Sequence, residues 1–292
     1  MQITTPATAA KSSPRTLSSR TCGFGESVVC LHSSTGSGAQ WRGLQETLAQ
    51  RFAVMAVDLH GHGRSPAWPA SAPSTLHLDA AAVGALAGIA THDIHLVGHS
   101  YGAAVALQMA LRWPQRVRSL TLYEPVVFGM LRRASLQDEA MDEIEEIAAS
   151  VASLVRAGCL EDAARVFVGY WSGVRAWAAL DQGQQHSIIA RIASVPRHFE
   201  ALFAAQWDAA ALQRLGMPVL LMHGSTTRAP ARRVADLLGN MLPRVQRCEL
   251  SGAGHMGPLT HAATVEHWFT THLDHRLTSP LKAGMEPEAL AA

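Results

Sequence analysis

The sequence predicts an α/β protein, with a mostly parallel, doubly wound sheet interrupted once by an all-helical insertion. Two patterns carry that prediction. Short, continuous apolar or β-branched runs alternate with helical periodicities of roughly 10–15 residues, the mark of βαβ units whose sheet is covered on both faces. The alternation stops over residues 129–209, where only helical signals remain, and then resumes.

The elements follow in order. Val28–His32 reads as a buried strand, Gln40–Arg51 as a helix and Ala53–Asp58 as another strand. Leu76–Ala90 is an alanine-rich helix and Ile94–Gly98 a strand. Tyr101–Trp113 is a helix that stops at Pro114, because the proline ring cannot continue it. Val117–Tyr123 is again a strand. Inside the insertion Ile144, Ile147, Val151 and Leu154 fall on one helical stripe. The acids around it (Asp138, Glu139, Asp142, Glu143, Glu145 and Glu146) read as a solvated face. The strand–helix alternation returns with Pro218–Gly224, Pro230–Leu242, Val245–Leu250 and Ala262–Leu273. The implied layout has a loosely ordered N-terminus over 1–20 and an α/β core formed by 21–128 with 210–275. A helical cap over 129–209 and a tail over 276–292 complete it. A helical insertion of this kind belongs over the carboxyl ends of the strands, where open α/β sheets hold ligands.

Composition narrows the function. The 292 residues carry 24 basic and 23 acidic side chains, a net charge of +1 with histidine neutral. There is no basic excess to neutralise phosphates, so a nucleic-acid partner is not expected. Apolar residues make up 48% and charged residues 16%, against ~25% charged in an average soluble domain, which favours a large core. No apolar run approaches the ~20 residues of a membrane helix, so no membrane partner is expected either. Cys22, Cys30, Cys159 and Cys248 are scattered without a CxxC pair and read as reduced thiols of a cytoplasmic protein. Residues 1–20 contain Lys11, Arg15 and Arg20 and no acid, a faint likeness to a transit peptide, and lack the apolar core of a secretory signal.

The chemistry concentrates at Gly98-His99-Ser100-Tyr101-Gly102, directly after one predicted strand and at the start of a helix. A serine in so sharp a strand-to-helix turn needs small neighbours two residues away on either side, and its hydroxyl then projects above the sheet edge. Three further motifs stand after other strands: His32-Ser33-Ser34, Asp58-Leu59-His60-Gly61-His62-Gly63-Arg64-Ser65, and Gly252-Ala253-Gly254-His255-Met256.

In their order and spacing these four motifs resemble the α/β-hydrolase fold family, over about Gly23 to Leu273. The resemblance implies acyl transfer to water through a Ser–His–acid triad, without a cofactor or metal. Ser100 then corresponds to the nucleophile and His255 to the general base. The oxyanion hole falls to the amides of Tyr101 and Ser34, with Ser33 where the family usually has glycine. The family's usual acid, in a Gly-x-x-Asp turn after the strand matched by Pro218–His223, is missing: Gly224-Ser225-Thr226-Thr227 puts Thr227 there. Threonine supplies no negative charge to an imidazolium. Glu124, directly after Val117–Tyr123, is the candidate acid in its place, a position that some family members use.

Other readings fit less well. Thr35-Gly36-Ser37-Gly38 lacks the Gly-Lys-Ser/Thr ending of a phosphate loop. His60 and His62 lack the Asp-His that a metallo-hydrolase would want next, and Asp58 with Arg64 reads as bracing a tight turn. His99 reads as a packing residue. A serine at position 100 separates the chain from the epoxide hydrolases and dehalogenases of this fold, which use aspartate. Insertion residues such as Phe167, Trp171 and Phe199 suggest an apolar acyl site, while Arg132, Arg133 and Arg175 could grip a carboxylate or pair with the acidic face. The expected substrate is a small to medium apolar ester. A lactone, a carbon–carbon bond cleaved by the same triad, or a non-catalytic ligand-binding role are the alternatives.

Overall fold

A computed structural model describes residues 16–69, 71–134 and 138–274. The first half of the chain runs through β1 (Ser19–Cys22), β2 (Glu26–Leu31), a 3-10 turn (Gly38–Trp41), α1 (Arg42–Leu48) and β3 (Phe52–Val57). It continues with α2 (Leu76–Leu86), β4 (Ile94–His99), α3 (Tyr101–Arg112) and β5 (Val117–Tyr123). Seven helices then follow among the described residues: α4 (Gly129–Ala134), α5 (Glu139–Arg156), α6 (Leu160–Ser172), α7 (Ala176–Ala179), α8 (Gln182–Ile192), α9 (Val195–Ala204) and α10 (Ala209–Gln213). The sheet resumes with β6 (Val219–Gly224), α11 (Ala229–Met241), β7 (Val245–Leu250), α12 (Gly257–Thr260) and α13 (Ala262–Asp274).

Among the described residues the strands form a seven-stranded sheet in the order β1-β3-β2-β4-β5-β6-β7. Every neighbouring pair is parallel except β1 with β3. β1 corrects the expectation of a loosely ordered segment up to residue 20. Ser19 pairs with Val57, Leu17 is buried, and the Ser18 carbonyl accepts from the Asp58 amide at 2.8 Å. Backbone pairing on an edge strand needs no strong apolar pattern, so Ser19–Cys22 carries little sequence signal. Residues 1–15 and 275–292, which hold most of the expected N-terminal segment and the whole tail, lie outside the described residues.

Both sheet faces are covered, which is why the inner strands β2, β4 and β6 read as largely apolar runs. Trp41, Leu44, Leu48, Val265 and Phe269, from the 3-10 turn, α1 and α13, close one face. α2, α3, α11 and the helices between β5 and β6 build the larger core on the other. The acidic helix α5 buries Ile144 and Val151 and starts at Asp138, whose side chain accepts from the Ala140 amide at 3.1 Å. β2, β4, β5, β6 and β7 are consecutive parallel neighbours, so their carboxyl-terminal loops come out at one edge, where the conspicuous motifs lie.

Candidate active site

The turn at Ser100 is strained and tightly packed. Ser100 has φ 56° and ψ −120°, a conformation that costs a side-chain-bearing residue roughly 1–3 kcal/mol and persists only where the surroundings impose it. Here the Ser100 amide donates to the Tyr123 carbonyl of β5 at 3.0 Å, while the Ser100 carbonyl accepts from Ala103 and Ala104 at the start of α3. The flanking glycines are needed for space. A Cβ on Gly102 would lie 2.4 Å from the Leu31 carbonyl oxygen, and one on Gly98 would lie 2.5 Å from the Cα of Ala103.

Three sequence-predicted residues meet in one chain of hydrogen bonds. The Ser100 hydroxyl donates to His255 Nε2 at 2.8 Å, and His255 Nδ1–H donates to Glu124 Oε2 at 2.6 Å. Glu124 is itself at φ 45°, and its amide donates to Met222 of β6. Its carboxylate is wholly buried and has two more donors: the Gly224 amide on Oε1 at 2.8 Å and the Thr227 hydroxyl on Oε2 at 2.6 Å. Burial pushes the Glu124 carboxyl up, against the hydrogen bond and charge of His255. With the Gly224 and Thr227 bonds they hold it below the ordinary carboxylate value. An ionised Glu124 only accepts, which fixes the proton on His255 Nδ1 and leaves Nε2 free to take one from Ser100. Thr227, where the usual acid is missing, is therefore a donor to the acid on the neighbouring strand.

Two further residues hold His255, one at its backbone and one at its ring. His99, at the end of β4, donates from Nε2 to the His255 carbonyl at 2.8 Å and accepts from Gln40 Nε2 at 3.1 Å. Burial and the nearby His255 push its pKa down to about 3, so it stays a neutral anchor. From above, the Trp171 indole of α6 stacks on the His255 ring with centroids 3.8 Å apart. Packing was the expectation for His99. Its bond to the His255 carbonyl joins positions 156 apart in the chain, beyond the reach of any local sequence pattern.

The loop after β2 is held almost throughout. Ser33 donates from its amide and hydroxyl to Gln40 Oε1, Thr35 donates its amide to His62 Nε2 at 3.1 Å, and Gly36 donates to the Ser33 carbonyl. The Ser34 amide has no acceptor among the described residues. Tyr101 opens α3, so its amide has no partner one turn back. Ser34 and Ser100 line one small cavity with Val126, Phe128, Phe167, Trp171, Val195, His198, Phe199 and Leu202.

The remaining motif residues have structural partners. Asp58 braces its turn by accepting from the Gly38 amide at 2.8 Å and the Arg64 amide at 3.0 Å; it is the Arg64 backbone that completes the brace. His60 Nδ1 lies 2.6 Å from Asp79, whose other oxygen accepts from the Tyr101 hydroxyl at 2.7 Å. His62 Nδ1 donates to the His60 carbonyl. Arg132 pairs with Glu145 on the acidic helix and Arg175 is exposed; the Arg133 side chain lies outside the described residues.

A sequence model of the alpha/beta hydrolase fold matches residues 26–262. The chain belongs to the α/β-hydrolase fold family. Among its relatives is the dihydrolipoyllysine-residue acetyltransferase component of the acetoin cleaving system of Cupriavidus necator. It is 40% identical over 110 residues, which are 37% of this chain and 28% of that protein. A pimeloyl-(acyl-carrier protein) methyl ester esterase from Chromobacterium violaceum is 41% identical over 105 residues, 35% of this chain and 38% of that protein. The chain thus spans about a third of the length of these curated relatives. The solved structure of an enol-lactonase from Burkholderia xenovorans superposes with a TM-score of 0.72 at 16% identity, covering 89% of this chain and 96% of that one; the likeness is one of fold. No helix among the described residues is long and apolar enough to cross a membrane.

Proposed function

We propose that this protein is a serine carboxylesterase that hydrolyses small to medium apolar esters through a Ser100–His255–Glu124 triad and an acyl-enzyme intermediate. The observation that carries the reading is the unbroken hydrogen-bond chain from the strained Ser100 hydroxyl through His255 to the buried Glu124 carboxylate. His255 takes the Ser100 proton as the oxygen attacks the ester carbonyl, and the amides of Tyr101 and Ser34 receive the negative oxygen. Glu124 supports the resulting imidazolium, which then protonates the leaving alcohol. Water, deprotonated by His255, attacks the acyl-enzyme and releases the acid. Residues 129–209 act as a cap over this chemistry, and no cofactor enters any step.

Apolar and aromatic side chains dominate the cavity wall, which favours an uncharged acyl group. Kinship with a methyl ester esterase supports ester cleavage over the lactone and carbon–carbon alternatives. The buried, triply bonded Glu124 weighs against a purely ligand-binding role, since an inert fold has no need of an ionised acid there. The test is hydrolysis of p-nitrophenyl esters from acetate to decanoate by wild type and Ser100→Ala. A chain-length optimum is expected that falls by about 10⁴-fold or more in the variant. Equal rates in both proteins would remove Ser100 as the nucleophile.

A further inference from the structure

The His198 side chain of α9 reaches across to the loop after β2 and places Nδ1 2.8 Å from the Ser34 hydroxyl oxygen. The ring is buried, stacked on Tyr101 with centroids 3.7 Å apart and nearly parallel planes, and its Nε2 has no hydrogen-bond partner among the described residues. Burial, with His62 and His32 close by, holds His198 well below the ordinary imidazole value, so it is neutral. A neutral imidazole carries one proton, on Nδ1 or on Nε2. On Nε2 it would leave a buried N–H without an acceptor. On Nδ1 it leaves only an unused lone pair, the less costly orphan. The proton therefore belongs on Nδ1, and His198 donates to Ser34 Oγ.

That assignment frees the Ser34 hydroxyl hydrogen. Its oxygen already accepts, and no other acceptor for the hydroxyl exists among the described residues, while Ser34 and Ser100 line the same cavity. We propose that the Ser34 hydroxyl is a third donor to the oxyanion, beside the Tyr101 and Ser34 amides, and that His198 is the positioning residue that aims it. This inference rests on the serine-hydrolase reading of the site. It also gives the helical insertion a part in the chemistry, because one α9 side chain orients a group on a loop 164 positions earlier in the chain. A second tie keeps the loop in register with these helices: Arg191 of α8 donates to the carbonyl of Thr35, a residue at φ 61°.

The test uses p-nitrophenyl butyrate together with a p-nitrophenyl alkylphosphonate. In the second reaction Ser100 Oγ forms a bond to phosphorus, p-nitrophenolate leaves, the Ser100 proton passes to His255, and the phosphoryl oxygen occupies the oxyanion site. Ser34→Ala is expected to slow both kcat for the ester and the phosphonylation rate by about 10²-fold with KM changed less than about two-fold. His198→Leu should follow it, whereas His198→Asn, whose amide nitrogen sits where Nδ1 was, should recover most of the rate. A structural role alone would instead lower the melting temperature and leave the kcat-to-KM split unmoved. Ser34→Ala reacting at the wild-type rate overturns the hydroxyl's role. His198→Leu reacting at the wild-type rate, or no faster in His198→Asn than in His198→Leu, overturns the positioning role. Wild-type protein that releases no nitrophenolate from either reagent overturns the serine-hydrolase reading and this inference with it.

Discussion

The strand-end loops and the helices packed against them hold the candidate site by different means. Thr35, Ser100 and Glu124 are the side-chain-bearing residues with positive φ among those described, and each sits at or just beyond the carboxyl end of a parallel strand. Main-chain bonds to neighbouring strands pin Ser100 and Glu124. The helices contribute Trp171 and His198 from ordinary helical backbone, through ring faces and one side-chain hydrogen bond. Strain of this kind survives only where many contacts enforce it. Groups set by the sheet should therefore tolerate almost no change, while groups lent by the helices should tune the rate in smaller steps.

The sharpest way to break that contrast is at Glu124. Glu124→Gln keeps the shape but loses the charge, and kcat on a p-nitrophenyl ester is expected to fall by about 10³–10⁴-fold with the melting profile retained. Adding Thr227→Asp should recover part of the loss. The Thr227 hydroxyl already lies 2.6 Å from the same carboxylate oxygen that receives His255, so an acid on β6 would stand within reach of the base. Wild-type turnover in Glu124→Gln would remove the sheet's charge from the chemistry.

The parts of this arrangement legible in the sequence share one property: they are local. β5 and β7 have the predicted limits, Val117–Tyr123 and Val245–Leu250, because turn chemistry bounds each of them: Pro114 and Pro243 stand before them, and Pro125 and Gly252 after. The Ser100 turn was readable from two glycines, and Glu124 from its place directly after β5. Thr227 was readable as a missing acid but not as a donor, since that depends on β5 and β6 being neighbours. The contacts of Trp171 with His255 and of His198 with Ser34 had no sequence signal. They join positions far apart in the chain, and an aromatic residue on an amphipathic helix reads the same whether it meets core or active site.

His99 offers a thermodynamic test of the sheet side. Its pKa is about 3 in the folded protein against an ordinary 6.5, so the unfolded chain takes up a proton that the folded one refuses. The stability this represents is fully present above about 6.5 and drains away as pH falls toward 3. Urea midpoints should decline from pH 7 to pH 4. His99→Gln, which retains a donor for the His255 carbonyl but does not titrate, should flatten that decline. Identical slopes in the two proteins would mean that His99 is not held neutral, and the anchor under His255 would lose its physical basis.

On the helical side the expected effect is smallest, and it separates a wall from a participant. The Trp171 indole lies face to face with His255, which in the proposed mechanism becomes a cation while Ser100 attacks. A cation over an aromatic face gains about 0.5–2 kcal/mol, roughly 2- to 30-fold in rate if the gain is specific to the transition state. Trp171→Leu should therefore lower kcat within that range, with Trp171→Phe between it and wild type because a benzene face is the weaker partner. The same residue also lines the cavity, so KM is the control. A change in KM alone, with kcat untouched, would make Trp171 only part of the acyl wall and leave the sheet as the sole source of charge stabilisation at His255.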